Sequence, residues 1–374
     1  MKGLTGRERL IRAFKRLEVD RMPIRIWGVD PFFPRQDWRP LYELIEKYQL
    51  EIFREWGEQD QGVPPQYKFR DEQRTVNGEM REDKTIIAVP GGDLTQISCQ
   101  PLDGSPGYVR KHFIGDQGEA EIWLANEWPQ ALPSGDSYFK LQKKSGERAL
   151  LMVNICEPFL EAHRLIGSEL FSYWIHDQPS LLHAMIAKCF KRTKNLLKHF
   201  LSLDIGDAYG WCGPELCIPP LASIAALREF VLHYDRKLID LIHDHGKLVW
   251  VHSHGDMSTV LKEFMDAGVD CLNPIEPPPV GKITLAEALK TCHGKMALDG
   301  GIEDGDFDRL APDEMVKTVE RTASQVRQND SFILCPTSTP CTLAVLSPKR
   351  MENYKQFVKT AVKWRDYQER RGAG

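Results

Sequence analysis

The chain has 374 residues and a net charge of −4, with 42% hydrophobic and 27% charged residues. These values are ordinary for a globular protein, and the slightly acidic balance offers no electrostatic footprint for nucleic acid or an anionic membrane. No stretch approaches the roughly 18 to 20 apolar residues of a membrane helix, and the N-terminus lacks the apolar core of a secretion signal. The nine cysteines are scattered and odd in number, which favours reduced thiols. We therefore expect a cytoplasmic protein that binds neither nucleic acid nor a membrane.

The first region, residues 1–146, has an irregular pattern. Thr5 followed by Glu8 is a capping-box pattern and predicts a helix that begins near Thr5. An apolar run at 23–27 predicts a first strand, and a stretch rich in glycine and proline at 85–99 is strand-like. This region is therefore expected to decorate the fold and to supply its first strand.

The second region, residues 147–374, alternates short apolar runs with long amphipathic segments, as successive βα units of a parallel sheet do. The predicted strands are 149–155, 205–211, 248–252, 271–275, 296–299 and 332–335. Apolar residues at three- and four-residue steps predict one helix from Leu227 to His245.

These six strands, the one near Pro23 and one that the pattern does not place total about eight. The fold class predicted is α/β, a (β/α)8 TIM barrel with a decorated N-terminal region, in one domain over residues 1–374. An open doubly wound sheet is the alternative. That sheet usually carries a glycine fingerprint, and neither GxGxxG nor GxxxxGK[ST] occurs, so nucleotide cofactors lose support.

Polar residues gather where the predicted strands end, which in a barrel is the side that holds the active site. They are Asn154, Glu157, Asp207, Tyr209, Trp211, Glu215, His252, His254, Glu276, Asp299, Glu303, Cys335, Thr337 and Ser338. His252 and His254 follow an apolar run and precede a glycine, so both can leave one strand end on the same side. We expect the active site around this pair.

Neutral imidazole is a common metal ligand, and a third ligand with one open position would make a catalytic zinc site. The candidates for the third ligand are Glu215, Glu276 and Cys335. Two alternatives remain open: Glu276 starts a stiff Glu-Pro-Pro-Pro loop that would leave its carboxylate solvated, and Cys335 would be a buried strand thiol.

The chain resembles the uroporphyrinogen decarboxylase-like superfamily of (β/α)8 barrels. The resemblance is carried by the order and spacing of several segments, namely 5–9, 20–23, 157–167, 228–255, 267–270 and 332–354. The porphyrinogen decarboxylases hold substrate carboxylates with an N-terminal Arg-Gln-Ala-Gly-Arg motif, which this sequence lacks. With only Arg25 and Arg35 nearby, there are too few guanidinium groups for an octacarboxylate substrate. Uroporphyrinogen decarboxylation itself is therefore not expected.

The other branch of this superfamily comprises zinc-dependent methyltransferases that work with corrinoid proteins and bind zinc through His-x-Cys and a distant Cys. His252-Ser253-His254 is similar to that motif with imidazole in place of thiolate, and the distant position falls near Ser338, between Cys335 and Cys341. A site rich in histidine is more electrophilic than a dithiolate site and suits polarising an oxygen, a nitrogen or water.

The leading hypothesis is a metal-assisted methyltransferase or demethylase acting on a small methylated substrate, with zinc as the expected ion and a corrinoid on a partner protein as acceptor. His252, His254, Cys335 and Glu276 are the predicted metal ligands, and Glu215, His252, His254 and Asp299 the predicted catalytic residues. The predicted substrate-binding residues are Arg25, Trp27, Asn154, Tyr209, Trp211 and Thr337.

Other hypotheses remain. One is a metal-free decarboxylase or lyase of a small acid, with His252, His254 and Asp299 in proton transfer and Arg25 anchoring a carboxylate. Another is a corrinoid- or ligand-binding barrel without catalysis. Nucleophilic catalysis by a serine triad lacks its GxSxG elbow here. The resemblance permits either a monomer or a homodimer.

Overall fold

A computed structural model of the chain describes residues 3–34, 38–57, 67–103, 105–128, 130, 132–340 and 346–366. The strands of these residues are β1 (Ile52–Trp56), β2 (Lys68–Val76), β3 (Met80–Val89), β4 (Gly92–Pro101), β5 (Tyr108–Lys111), β6 (Ala149–Asn154), β7 (Ala208–Cys212), β8 (Leu248–His252), β9 (Cys271–Ile275), β10 (Ala297–Ile302) and β11 (Phe332–Pro336).

The helices of the described residues lie mainly between these strands. They are α1 (Gly6–Phe14), α2 (Arg39–Tyr48), α3 (Gln117–Ala125), α4 (Asp136–Ser145), α5 (Pro158–Asp177), α6 (Pro179–Ser202), α7 (Ile224–Ala226), α8 (His233–Asp244), α9 (Leu261–Ala267), α10 (Leu285–Cys292), α11 (Asp306–Arg309), α12 (Pro312–Ser324) and α13 (Pro348–Trp364). The predicted capping box of the first helix is confirmed, with Thr5 accepting from the backbone N–H of Glu8.

A curled sheet of seven parallel strands forms the centre of the fold, in the order β1-β6-β7-β8-β9-β10-β11. This confirms the α/β class and the parallel sheet. The register matters for the site because it aligns Cys212 with His252 and His252 with Asn273 on neighbouring strands. Aligned residues of parallel strands project from the same face, so polar groups from several strands meet at the carboxyl end of the sheet.

Residues 23–25 contact both edges of this sheet. Ile24 forms a parallel bridge with Leu334 of β11, where the Arg25 N–H donates to the Leu334 carbonyl at 3.1 Å. On the other side the Glu51 N–H donates to the Ile24 carbonyl at 2.9 Å, beside β1. The first predicted strand therefore exists as a short bridging segment between β11 and β1.

Three carboxylates hold the amino end of the sheet together, and each directly precedes a strand. Glu51 accepts the backbone N–H of Ile24 at 2.7 Å. Asp207 accepts that of Leu151 and Asp270 accepts that of Val249, both at 2.9 Å. Each also binds an arginine from the N-terminal segment.

These arginines lie on α1 or just after it. Arg9 binds Glu51 at 2.6 Å, Arg7 binds Asp207 at 2.6 Å, and Arg16 binds Asp270 at 2.7 Å. The N-terminal helix thus covers the amino end of the sheet with ion pairs that also satisfy buried backbone donors.

The sequence prediction placed Asp207 at the other end of its strand, and this was wrong. The strand runs from Ala208 to Cys212 rather than over 205–211, because Asp207 turns back to bind Arg7 and the Leu151 N–H. The strand that the pattern did not place is β1, whose run Ile-Phe-Arg-Glu-Trp is interrupted by two charged residues.

Two further elements differ from expectation. The strand-like stretch at 85–99 belongs to a separate antiparallel sheet in the order β2-β3-β4-β5. The predicted helix at 227–245 is divided, because a π-helical stretch at Leu227–Leu232 precedes α8. None of the helices in the described ranges combines the length and apolar character needed to cross a bilayer. The one-domain organisation stays a prediction.

Candidate active site

His252 and His254 lie at the carboxyl end of β8, as the sequence predicts. Their rings meet edge to face with centroids 4.6 Å apart. His252 is the buried member, with 7% of its surface exposed, whereas the side chain of His254 is 39% exposed. The pair therefore has one ring inside the fold and one ring at its surface.

His252 is enclosed by aromatic rings and oriented by one amide. Its Nδ1 lies 2.8 Å from Oδ1 of Asn273, and its ring contacts Trp27 at 4.5 Å and stacks on Trp250 at 5.8 Å between centroids. Burial, together with the positive charge of His254, lowers the pKa of His252 to about 4. His252 is therefore neutral at physiological pH.

His254 is held by a carboxylate. Its Nδ1 lies 2.8 Å from Oε1 of Glu276, and the other oxygen of Glu276 accepts from the Gly255 N–H at 2.6 Å. Partial burial acts to lower the pKa of His254, but the hydrogen bond and charge of Glu276, with the charges of Glu215 and Glu303, outweigh burial and raise this pKa. The second ring of the pair therefore holds a proton more tightly than an ordinary histidine does.

Two more carboxyl groups lie near His254. Glu215 follows β7 and accepts from the Gly213 N–H at 3.0 Å, and burial raises its pKa. Glu303 follows β10; burial and the charge of Glu276 raise its pKa, and Thr337 hydrogen-bonds to it. A raised pKa gives each carboxyl group a larger protonated fraction near neutral pH, as a proton donor requires.

A cavity of about 1140 Å³ adjoins these groups, and Glu276 and Glu303 are in its lining. Its volume is slightly above the roughly 300–1,000 Å³ that is typical of small-ligand pockets. The lining comes mainly from α10, α11, α12 and the loop at 277–280 and includes neither histidine, so the cavity reaches this site only at Glu276 and Glu303.

Arg25 and Asp299 form a buried ion pair beneath the histidines. The Arg25 guanidinium binds the Asp299 carboxylate through Nε, at 3.1 Å to Oδ2, and through Nη2. It also lies 4.0 Å from the ring centroid of Phe53, and Arg25 is only 2% exposed. The predicted use of Arg25 as an anchor for a substrate carboxylate is not supported, because Asp299 already occupies the guanidinium.

Cys335 belongs to this buried group. It has no exposed surface, burial raises its pKa well above the ordinary value, and its interactions are with Arg25, Asp299 and the backbone N–H of Trp27. These contacts agree with the alternative of a buried strand thiol rather than with a metal ligand.

The remaining predicted binding residues are spread around the sheet. Asn154 donates to Glu55 at 2.9 Å at the ends of β6 and β1, and Thr337 accepts from the Asp304 N–H at 3.0 Å. Tyr209 and Trp211 do not join the histidines. The Tyr209 hydroxyl donates to the Ile205 carbonyl, and the Trp211 N–H donates to Asp235 of α8 at 3.1 Å. Because alternate residues of a strand face opposite sides, these two rings face the helices, whereas Trp27 contacts His252.

The histidine pair fits two positions of a metal site. Metal-binding histidines are usually held through the nitrogen that does not bind the metal, as the Nδ1 atoms are held here. In the described part of the chain, neither Nε2 atom has a hydrogen-bond partner. However, no three His, Cys, Asp or Glu side chains of that part converge as a metal ion requires. Glu276 and Cys335, the predicted third ligands, have the other partners given above; Cys341 and Arg35 lie outside the described residues.

Sequence reasoning missed two residues that contact His252. Asn273 lies within the apolar run of β9, and Trp250 lies within that of β8. A polar amide at a fully buried strand position was the available signal for Asn273, because such a group needs a partner. Trp250 gave no signal beyond its size, although its N–H donates to Asp299 at 3.3 Å.

Comparison with known proteins agrees with this architecture. The family model described as "Uroporphyrinogen decarboxylase (URO-D)" matches residues 133–364. A solved structure of a methyltransferase from Methanosarcina mazei superposes with a TM-score of 0.62 at 14% sequence identity, covering 96% of this chain and 99% of that chain. A search of curated proteins gave no significant match. The chain belongs to the uroporphyrinogen decarboxylase (URO-D) family.

Proposed function

We propose that this protein is a methyltransferase or demethylase that acts on a small methylated substrate at His252 and His254. The observation that carries the proposal is the arrangement of the pair at the carboxyl end of β8, in which both rings are held through Nδ1 and neither Nε2 has a hydrogen-bond partner among the described residues. The fold shared with a methyltransferase supports this choice within the URO-D family.

Each side chain has a separate task in this proposal. Neutral His252 presents an Nε2 lone pair, while Glu276 holds Nδ1 of His254 and leaves its Nε2 for the substrate or for an ion. Glu215, whose pKa is raised by burial, would donate a proton to the atom that loses its methyl group. Trp27, which covers His252, would keep water from the reacting methyl group.

A zinc ion and a corrinoid acceptor on a partner protein are part of the proposal by resemblance. His252 and His254 would supply two zinc ligands through Nε2, and the described residues supply no third. When bound, the ion would act as a Lewis acid that polarises the atom bearing the methyl group. The resemblance permits a monomer or a homodimer, and a cytoplasmic location remains a prediction.

Methyl transfer can be tested without a known partner by offering free cob(I)alamin as acceptor. A panel of methanol, methoxybenzoates, methylamines and methyl thiols would serve as probes, with methylcobalamin formation followed by absorbance. We expect activity with one class, and its loss by at least 100-fold in His252→Ala and His254→Ala. His245→Ala is the matched control, because His245 is exposed and bonds to the Leu241 carbonyl of its own helix. No turnover with any class, or equal rates in all variants, would contradict the proposal.

The metal is tested separately by elemental analysis of the purified protein. We expect about one zinc per chain, and much less in His252→Ala. A metal-free wild type, or unchanged zinc in the variant, would remove the ion from the proposal without removing the histidine site.

Two observations favour a second candidate, a metal-free decarboxylase or lyase of a small acid. No three metal-binding side chains of the described residues converge, and the positive charge of His254 could hold a substrate carboxylate in place of Arg25. Release of CO₂ from a panel of small acids, unaffected by a chelator, would select this candidate.

We also propose that the parallel sheet closes into a (β/α)8 barrel, with residues 23–25 as the eighth strand. The hydrogen bonds of this segment to Leu334 and Glu51 support closure. Slow hydrogen exchange at the amides of Arg25, Glu51 and Leu334 would be expected, whereas fast exchange at all three would contradict it.

A further inference from the structure

A chain of hydrogen bonds runs across neighbouring parts of the sheet and ends at His252. Arg25 binds the Asp299 carboxylate of β10, and the Asp299 carbonyl accepts from Nδ2 of Asn273 on β9 at 3.4 Å. Oδ1 of Asn273 then meets Nδ1 of His252 on β8 at 2.8 Å. All four side chains are buried, with at most 7% of each residue exposed.

The amide of Asn273 can serve both neighbours in only one orientation. Its NH₂ group must face the Asp299 carbonyl, because a carbonyl only accepts hydrogen bonds. Its oxygen therefore faces His252, and an oxygen that only accepts requires a proton on Nδ1 of the imidazole. In an imidazole that carries a single proton, the lone pair then lies on Nε2.

We infer that Asn273 is a positioning residue that fixes His252 in the Nδ1–H tautomer, so that Nε2 is the atom presented to the substrate or to an ion. Arg25 and Asp299 act through the same chain by holding the strand on which Asn273 pairs. The Asn273 carbonyl also accepts from the Ser253 N–H at 2.7 Å, so the residue fixes both the ring and the backbone beside it.

This inference changes the roles of two predicted site residues. Arg25 was predicted to bind the substrate and Asp299 to be catalytic, whereas the two contact each other, Phe53, Trp250, Cys335 and Asn273. The use made of Nε2 rests on the proposed function, but the tautomer itself does not.

The tautomer can be measured directly on the full chain. Long-range ¹H–¹⁵N correlation spectra of protein labelled at histidine, after dialysis against a chelator, show which ring nitrogen carries the proton. His252→Ala assigns the signal. We expect the Nδ1–H form alone in the wild type and in Asn273→Asp, which keeps an oxygen acceptor. In Asn273→Leu we expect both tautomers, with a fall in kcat of about 10- to 100-fold, as for other partners of site histidines.

Asn353→Leu is the matched control. Asn353 is also fully buried and donates to two backbone carbonyls, of Phe307 and Leu310, but in α13. It should lower stability as Asn273→Leu does while leaving the His252 spectrum unchanged. An Nε2–H signal in the wild type overturns the inference even if Asn273→Leu does not fold, and so does an unchanged tautomer in a folded Asn273→Leu. Absence of methyl transfer with the expected spectra would instead reject the proposed function alone.

Discussion

At the amino end of the parallel sheet, the carboxylates of Glu51, Asp207 and Asp270 have arginine partners, whereas Glu215 and Glu303 at the opposite end form no ion pair with the described residues. Glu51, Asp207 and Asp270 each bind an arginine together with a backbone N–H. At the carboxyl end, Glu215 and Glu303 have pKa values raised by burial. Carboxylates that are fully paired with arginines stabilise the fold but are not free to take part in chemistry. The amino end of the sheet therefore contributes mainly to stability, and the carboxyl end holds the groups available for a reaction.

Asp270→Ala is expected to have the largest effect on stability. Its carboxylate accepts from Arg16, His243 and the Val249 N–H, so the variant leaves the buried Val249 N–H and two partly exposed side chains without an acceptor. The free energy of unfolding should fall by about 2–3 kcal/mol, measured by urea denaturation.

Asp266→Ala is the control for this change. Asp266 pairs with Lys262 on the surface, and both side chains are at least half exposed. Its cost should be under about 1 kcal/mol. Equal effects of the two variants would show that the amino end is no more important for stability than the surface.

Glu215→Gln tests the carboxyl end. We expect a loss of at least 100-fold in kcat, because the amide cannot donate the proton, with almost no change in the urea midpoint. Glu161→Gln is a matched control, since burial also raises the pKa of Glu161 but it pairs with Arg192, at 3.6 Å. If both variants lost activity equally, the role given to Glu215 would be wrong.

The pair Glu157 and Asp235 is expected to make the stability of the fold depend on pH. Both are fully buried behind the carboxyl end, and no ion pair to either is found within the described ranges. Burial raises the pKa of Asp235 from 3.8 to about 7, and burial and the charge of Asp235 raise that of Glu157.

Because the folded pair keeps a proton that the unfolded chain has lost, its stabilising effect is complete below about pH 4 and disappears as pH rises through about 7. The free energy of unfolding should fall by on the order of 2 kcal/mol between pH 5 and pH 8. Asp235→Asn should flatten this dependence in urea titrations at each pH. If the free energy of unfolding depended on pH as steeply in Asp235→Asn as in the wild type, other groups would be responsible for that dependence.

Thr5→Ala is expected to have the smallest effect. It removes the capping box of α1, which carries two of the arginines at the amino end. The cost should be about 1 kcal/mol by urea denaturation. Thr284→Ala removes the equivalent capping box of α10 and should cost a similar amount. A much larger loss in Thr5→Ala would mean that the cap also determines the positions of these arginines.

Much of the sheet could be predicted from the sequence because its strands are apolar and buried on both faces. The strands at Leu248–His252 and Cys271–Ile275 have the predicted bounds. The strand at Ile52–Trp56 was missed because Arg54 and Glu55 break its apolar run, although both are only partly exposed in the fold. A local pattern does not show where a charged side chain finds its partner.

The candidate site was predictable in part for the same reason. The histidine pair follows its strand visibly, but the partner of each ring lies about 20 residues away, at Asn273 and Glu276. Asp207 illustrates the reverse error, because only the contact with Arg7 shows to which end of the sheet it belongs. Polar residues near a strand become informative only when the direction of that strand and its neighbours is known.

The segment at 23–25 also has a consequence for synthesis on the ribosome. Its partners on one side belong to β11, more than 300 residues later in the chain. Arg16 likewise forms its ion pair with Asp270, which is translated much later than Arg16. The bridge between Ile24 and Leu334 and the ion pair between Arg16 and Asp270 therefore form only after these later segments have been translated. Such long-range pairing slows folding, and a nascent chain that stops before Leu334 would expose an unpaired edge to other molecules.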